Sequence, residues 1–242
     1  MDTAVSRTLL LCENLSFGYE GRPVLSGLTF SVANGDRLCV VGENGSGKST
    51  LLKGLLGLIP VMGGLVKTIG LKPGDIGYLP QENSVQKDFP AAVFEVVLSG
   101  RQNRRGFAPF YTRADKAAAE ESLAMMGLGS LKSACFRELS GGQRRRVLLA
   151  RSLAAAGRIL LLDEPASGLD PVVQNDLYKI LERINTELGI TIIMVSHDIE
   201  GALRLSGKVL HLAGRQLFFG SADSYRESEP GRIFLHKTEG SA

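Results

Sequence analysis

The sequence predicts an α/β fold in which a mostly parallel sheet carries helices on both faces, with an N-terminal antiparallel β-subdomain and an inserted helical subdomain. Three observations predict it. Strand-length apolar runs alternate with helix-length segments in the second half of the chain, and a glycine-rich turn at residues 42–50 joins an apolar run directly to a leucine-rich segment. Residues 88–137 hold helical patterns and no strand candidate. The 242 residues then read as one domain over 1–242, with 1–87 and 138–242 forming the core and 88–137 the insertion.

Leu9-Leu10-Leu11 with Leu15 and Phe17, and then Leu25 to Val32, read as two strands around the turn residues Glu20-Gly21-Arg22-Pro23. Asp36 to Val41 is a short buried strand that runs into Gly42. From Lys48 to Ile59, leucines at 51, 52, 55, 56 and 58 cover most of a helix surface, which predicts a helix packed inside the domain and ended by Pro60 and Gly63-Gly64. Val93 to Ser99 and Ala114 to Met126 read as the helices of the insertion, separated by a loop from Gly106 to Tyr111. A helix starting near Gly142 leads to the apolar strand Ile159 to Leu162. Apolar residues at 173, 177, 180, 181, 184 and 188 give Val172 to Leu188 a helical face, and strand Ile190 to Val195 follows. From Gly220 onward the pattern weakens to a short terminal helix or a frayed tail.

Composition is that of a soluble globular chain, 44% hydrophobic and 22% charged, which excludes the disordered and fibrous classes. The 29 glycines exceed the usual ~7% without a three-residue period, so tight turns are expected. A net charge of +3 suits a protein that handles phosphates and is too weak for a duplex nucleic-acid partner. Cys12, Cys39 and Cys135 are far apart and form no Cys-x-x-Cys pair, so core thiols in a reducing compartment are expected, not disulfides or zinc. No run approaches the ~18 apolar residues of a membrane span, and the N-terminus, with Asp2, has no secretory signal core.

Gly42-Glu43-Asn44-Gly45-Ser46-Gly47-Lys48-Ser49-Thr50 stands between a strand and a helix, the setting that a phosphate-binding P-loop requires. Its glycines let backbone N–H groups turn inward onto β- and γ-phosphate oxygens, and the helix N-terminus adds partial positive charge. Lys48 supplies a point charge to the same oxygens, and Ser49 offers a hydroxyl to a bridging Mg²⁺. These residues predict a P-loop NTPase core; the alternative is a glycine-rich loop with no ligand.

The apolar run Ile159 to Leu162 ends in Asp163-Glu164-Pro165. In open α/β sheets ligands lie at the carboxyl ends of the strands, so both carboxylates are expected at the phosphate site. Asp163 can hold Mg²⁺ directly or through water. Glu164 is left to take a proton from, or orient, the water that attacks the γ-phosphate. Two acids that merely mark a strand end before a proline are the alternative.

Leu139-Ser140-Gly141-Gly142-Gln143 resembles the signature motif of ATP-binding cassette (ABC) ATPases, and the resemblance extends from about Leu9 to Gly220. Ser140 and the glycine amides can hydrogen-bond a γ-phosphate at a helix start. The resemblance implies a head-to-tail dimer in which each signature motif, Ser140 to Gln143, closes over the P-loop of a second copy and two ATP molecules are sandwiched. It implies that Tyr19 stacks on adenine, with Phe17 as the competing core residue. It makes Gln81, after Gly77-Tyr78-Leu79-Pro80, the Q-loop glutamine that reaches Mg²⁺ or the attacking water, and Ser167-Gly168-Leu169-Asp170 the D-loop at the dimer interface. His197 resembles the switch histidine that contacts the γ-phosphate. His211 and His236 have no such frame and are expected to be packing or surface residues, and Arg144-Arg145-Arg146 to be solvated or at an interface.

The same resemblance implies that the chain sits on the cytoplasmic face of the cell membrane against integral membrane permease subunits, with a separate substrate-binding protein engaged through the permease. Phe89, Pro90, Val93 and Phe94 are candidates for the apolar floor that receives a permease helix, the alternative being the core of the insertion. Residues 81–101 resemble the cassettes of zinc and manganese importers, and partly those of iron-siderophore and vitamin B12 importers. ATP and Mg²⁺ are the implied cofactors, and nucleic acid is not expected. A non-transport cassette would carry two cassettes or a long coiled-coil insertion, and a P-loop kinase or GTPase would leave Leu139 to Gln143 unexplained.

Overall fold

The computed structural model describes residues 8–72, 74–81, 90–104 and 109–239, so Asp2, Phe89, the importer-like residues 82–88 and loop residues 106–108 lie outside the described residues. The chain forms two compact units, Met1–Leu71 with Ile193–Ala242, and Lys72–Ile192.

In the first unit, β1 (Thr8–Tyr19) pairs antiparallel with β2 (Arg22–Ala33) on one side and with β4 (Val61–Thr68) on the other. Leu15 and Phe17 of β1 and Leu25 and Leu28 of β2 lie wholly inside, a bulge in β2 at Gly27 (φ 70°) accommodating the three-residue spacing, so Phe17 is a core residue. β4 departs from the sequence reading: Gly63-Gly64 lies within an edge strand rather than stopping a helix. The helix before it, α1 (Lys48–Leu55), is shorter than predicted. Gly57 ends it with φ 71°, a left-handed conformation that costs glycine nothing. Leu51 and Leu52 are buried, but Leu58 beyond the glycine is 66% exposed, contrary to the prediction of a fully packed helix.

β3 (Arg37–Val41) lies parallel to β8 (Lys208–Leu212), which pairs antiparallel with β9 (Gln216–Ser221). The Asp36 carboxylate accepts hydrogen bonds from the Ala33 N–H and from Lys208 Nζ, each at 2.7 Å, which fastens the starts of β3 and β8 together. Cys12 and Cys39 are buried, and burial pushes both thiols up to about 12, so they behave as small apolar packing residues. Where the reading left a frayed tail open, the chain forms α7 (Ala222–Glu227) and α8 (Glu229–Glu239).

His211 on β8 is buried, as a packing residue should be. Its Nδ1 lies 3.1 Å from the Tyr225 hydroxyl, and its ring centroid is 4.6 Å from that of Phe234 on α8. Burial holds its pKa below the ordinary value, with the Lys48 charge acting in the same direction and Glu43 opposing it. As pH falls, the unfolded chain therefore takes up this proton first. The stability that His211 contributes is complete above about pH 6.5 and declines below it. Thermal unfolding measured from pH 7.5 to 5.5 is expected to show this decline, and His211→Gln to flatten it; an unchanged slope in the variant would assign the dependence to other groups.

In the second unit, β5 (Ile76–Leu79) runs parallel to β6 (Ile159–Asp163), with Leu79 opposite Leu162. α4 (Gly141–Ala155) precedes β6 and α5 (Pro171–Leu188) follows it. Between residues 90 and 138 the described residues form α2 (Val93–Leu98), α3 (Arg113–Met125) and short 3-10 turns, with only a single bridge from Ala92 to Cys135 as extended pairing. Arg101 ties α3 to α4: its Nε donates to Asp115 at 3.0 Å and its Nη1 to the Ala154 carbonyl at 2.9 Å. The remaining described elements are β7 (Thr191–Val195), buried throughout, and α6 (Ile199–Leu205). No helix among the described residues is long and apolar enough to cross a membrane.

Candidate functional site

In the first unit, the parallel pairing of β3 with β8 ends at Val41 opposite His211, and the chain turns at Gly42 into the loop that opens α1. Gly47 caps α1 with φ 99°, and a Cβ there would lie 2.5 Å from the Leu25 side chain, so only glycine closes this turn. The first-turn amides of α1, from Lys48 to Thr50, have no intrahelical acceptor by geometry and carry the positive end of the helix dipole. Lys48 is only 6% exposed, and its Nζ donates to the carbonyls of Gly42 and Glu43 at 2.8 Å each. This inward ammonium holds the loop closed around its amides. Ser46 Oγ is buried with no hydrogen-bond partner among the described residues. Buried polar atoms of that kind are expected to have a partner, which fits a loop shaped for an anion.

Gly42, Glu43 and Asn44 line a pocket of about 230 Å³ together with Ser196, His197, Phe234 and Lys237. His197 thus shares a pocket with residues 42–44 of the glycine-rich loop. Glu43 also forms an ion pair with Lys237 of α8, which holds its carboxyl below the ordinary value through that hydrogen bond. The sequence pattern allows a short terminal helix from Gly220 onward but does not place it against Glu43. Gly45 is exposed at the loop tip, Ser49 is half-buried and Thr50 is buried. Tyr19, at the end of β1, is 44% exposed, while Phe17 faces the core. An exposed aromatic face is what stacking on a purine needs.

In the second unit, the parallel register does the positioning. Leu79 is level with Leu162, so Gln81 and Glu164, each two residues further on, meet beyond the strand ends. Gln81 Nε2 donates to Glu164 Oε2 at 2.9 Å. Asp163, the last residue of β6, is only 3% exposed, while Glu164 is half-buried. Glu164 also adopts φ 53°, in the left-handed region.

The signature residues stand at the start of α4. Ser140 is its N-cap, accepting from the Gln143 N–H at 3.3 Å, while Gln143 Oε1 accepts from the Ser140 N–H at 3.0 Å. This capping box fixes the exposed helix start and leaves the Ser140 hydroxyl hydrogen and the amides of Gly141 and Gly142 to an incoming acceptor. Asp170 caps α5 in turn, accepting from the Val172 and Val173 N–H groups at 3.1 and 3.0 Å.

Two expectations need correction. Arg145 is not solvated: it is 2% exposed, because it heads a buried α4 stripe with Leu148, Leu149 and Ser152. Val93 is fully buried, its N–H bonded to the Ala134 carbonyl at 3.0 Å, so it belongs to the interior and not to an exposed floor. Pro90 is exposed, and Phe94 is half-buried with Lys132 Nζ 4.4 Å from its ring centroid. Among the described residues no group of three or more His, Cys, Asp or Glu side chains could hold a metal ion by itself.

Comparison with known proteins agrees with this geometry. The ABC transporter family matches residues 25–167. A probable metal transport system ATP-binding protein of Chlamydia trachomatis serovar D is 42% identical over 195 residues, 78% of this chain and 82% of that protein. The manganese transport system ATP-binding protein MntB of Bacillus subtilis is 35% identical over 216 residues, 88% and 86% of the two chains. Among solved structures, an inward-facing transporter described as of the metal-chelate ABC type superposes with a TM-score of 0.84 at 29% identity, covering 96% of this chain and 90% of that one. Phosphate loop, carboxylate pair and capped signature helix, together with these matches, place the chain in the ABC transporter family as an ATP-binding ATPase subunit.

Proposed function

We propose that this chain hydrolyses ATP with Mg²⁺ on the cytoplasmic face of a cell membrane and thereby drives an importer of a divalent metal ion, zinc or manganese. The observation that carries the catalytic part is the hydrogen bond from Gln81 to Glu164 beyond the parallel strand ends. The amides of Gly45 to Thr50 and Lys48 grip the β- and γ-phosphates, and Tyr19 supports the adenine. Asn44 and Glu43 shape the loop. Ser49 in the first unit and Asp163 and Gln81 in the second carry the oxygen donors that would hold Mg²⁺, and a bound ion would neutralise charge on the phosphates. Glu164 takes a proton from, or orients, the attacking water, while His197 donates to the γ-phosphate.

Ser140, Gly141, Gly142 and Gln143 form a second amide-lined helix start, which a single nucleotide on the same copy does not need. Two copies arranged head to tail, with Asp170 at the interface, give each helix start a partner's γ-phosphate. ATP then favours closure, and loss of the γ-phosphate releases it. That motion reaches a pair of integral membrane permease subunits, which receive cargo from a separate binding protein. The cargo assignment is supported by the metal transport relatives and by the importer-like segment around residue 90.

The test is a complex of the full chain with its co-purifying permease, reconstituted in vesicles. Binding protein loaded with manganese or zinc is expected to raise ATP hydrolysis several-fold. Stimulation by a ferric siderophore or cobalamin complex instead would overturn the cargo, and failure to co-purify any permease would overturn the transport role.

A further inference from the structure

Arg145 is a cation wholly inside the protein, and all the hydrogen bonds described for it go to backbone carbonyls. Its Nε donates to Pro165 at 2.8 Å, its Nη2 to Glu164 at 2.6 Å and to Asp163 at 3.3 Å, and its Nη1 to Pro80 at 3.4 Å. Three of these carbonyls belong to consecutive residues, the last of β6 and the two that follow it. The fourth immediately precedes Gln81. One guanidinium therefore holds the backbone on both sides of the hydrogen bond from Gln81 to Glu164.

The backbone it holds is strained. Glu164 has φ 53°, and a non-glycine residue stays in that region only where its surroundings over-determine it. With its own carbonyl and those on either side fastened to Arg145, the residue cannot relax to an extended conformation. Its side chain is thereby directed to Gln81 Nε2, 2.9 Å away. A planar fork with five N–H donors can serve four carbonyls in fixed directions; an ammonium on a flexible stem cannot.

We propose that Arg145 is the positioning residue for Glu164: it clamps the Asp163–Pro165 backbone and the Pro80 carbonyl so that the carboxylate is held in the orientation that hydrolysis uses. This rests on the reading of Glu164 as the group that acts on the attacking water. Arg145 touches neither nucleotide nor water in this account and acts only through Glu164.

The test compares four variants of the full chain: Arg145→Gln, Arg145→Lys, Glu164→Gln and the double variant Arg145→Gln/Glu164→Gln. Steady-state MgATP hydrolysis gives kcat and KM, and a fluorescent ATP analogue gives binding. A displacement on the order of 1 Å at a reacting group costs about 100-fold in rate, so Arg145→Gln is expected to lower kcat by about 30- to 100-fold with KM changed less than about 3-fold. The double variant is expected to be no slower than Glu164→Gln alone, because the clamp then has nothing left to orient.

Arg145→Lys keeps the charge and most of the stem, and carries the same kcat and KM test if Arg145→Gln does not fold. A folded Arg145 variant at the parental kcat would overturn the proposal, as would losses that multiply in the double variant, since general destabilisation multiplies and positioning does not. If Glu164→Gln itself kept the parental rate, the underlying reading of Glu164 would fail, and that result is read from the single variant alone.

Discussion

Glu164→Gln is expected to lower ATP hydrolysis by at least about 100-fold while leaving ATP binding within a few-fold of the parent. General-base assistance contributes about 10² to 10⁴ in rate, and an amide cannot accept the proton. The substitution is otherwise conservative. Glutamine has the same length, its carbonyl oxygen can still accept from Gln81 Nε2 across the 2.9 Å contact, and the carbonyl that Arg145 holds is backbone and unchanged. The fold and the phosphate loop should therefore be intact. On the proposed cycle, in which hydrolysis releases the closed state, the variant with MgATP should elute as a dimer where the parent does not. Single-turnover hydrolysis and gel filtration with and without ATP check both halves. A parental rate would remove Glu164 from the reaction.

The second large effect is expected at the phosphate loop. Lys48→Ala should weaken ATP binding by about 10- to 150-fold, the equivalent of losing a charge-assisted hydrogen bond of about 1.5–3 kcal/mol. Two losses combine. The phosphates lose a buried cation, and the carbonyls of Gly42 and Glu43 lose the donor that holds them at 2.8 Å. Equilibrium binding of a fluorescent ATP analogue measures it. The contrast between the variants is the informative part: the Lys48 variant should fail to bind, and the Glu164 variant should bind and fail to react. Parental affinity in Lys48→Ala would leave the loop amides as the whole phosphate site.

Most of the candidate site was legible in the sequence because its chemistry is built from contiguous strings. Residues 42–50 offer their own amides, and Ser140 with Gln143 forms a capping box between neighbours, so local order is enough to read them. Glu164 was legible because a wholly apolar strand delivers whatever follows it. Arg145 was not. It sits in a run of three arginines that reads as solvated, and the clue to its burial was its place at the head of the stripe 145, 148, 149 and 152, where a cation is unexpected. β4 was hidden for a different reason: an edge strand with most of its residues exposed carries little alternation, and its glycine pair looks like a breaker. α8 was legible only as one of two alternatives for the tail because Pro230 and Gly231 weaken its pattern, although proline in a first helical turn forfeits no hydrogen bond.

The fastening of β3 to β8 through Asp36 and Lys208 joins positions 172 residues apart in the chain. A ribosome making this protein would emit the phosphate loop early and its supporting strand much later. The contiguous unit Lys72–Ile192 can complete itself while synthesis continues, whereas the unit carrying residues 42–50 cannot close until β8 has emerged. The nascent chain therefore holds β3 without its β8 partner until Lys208–Leu212 has emerged. Chaperone dependence and folding yield should accordingly respond more to changes around Lys208 than to changes within the earlier-finished unit.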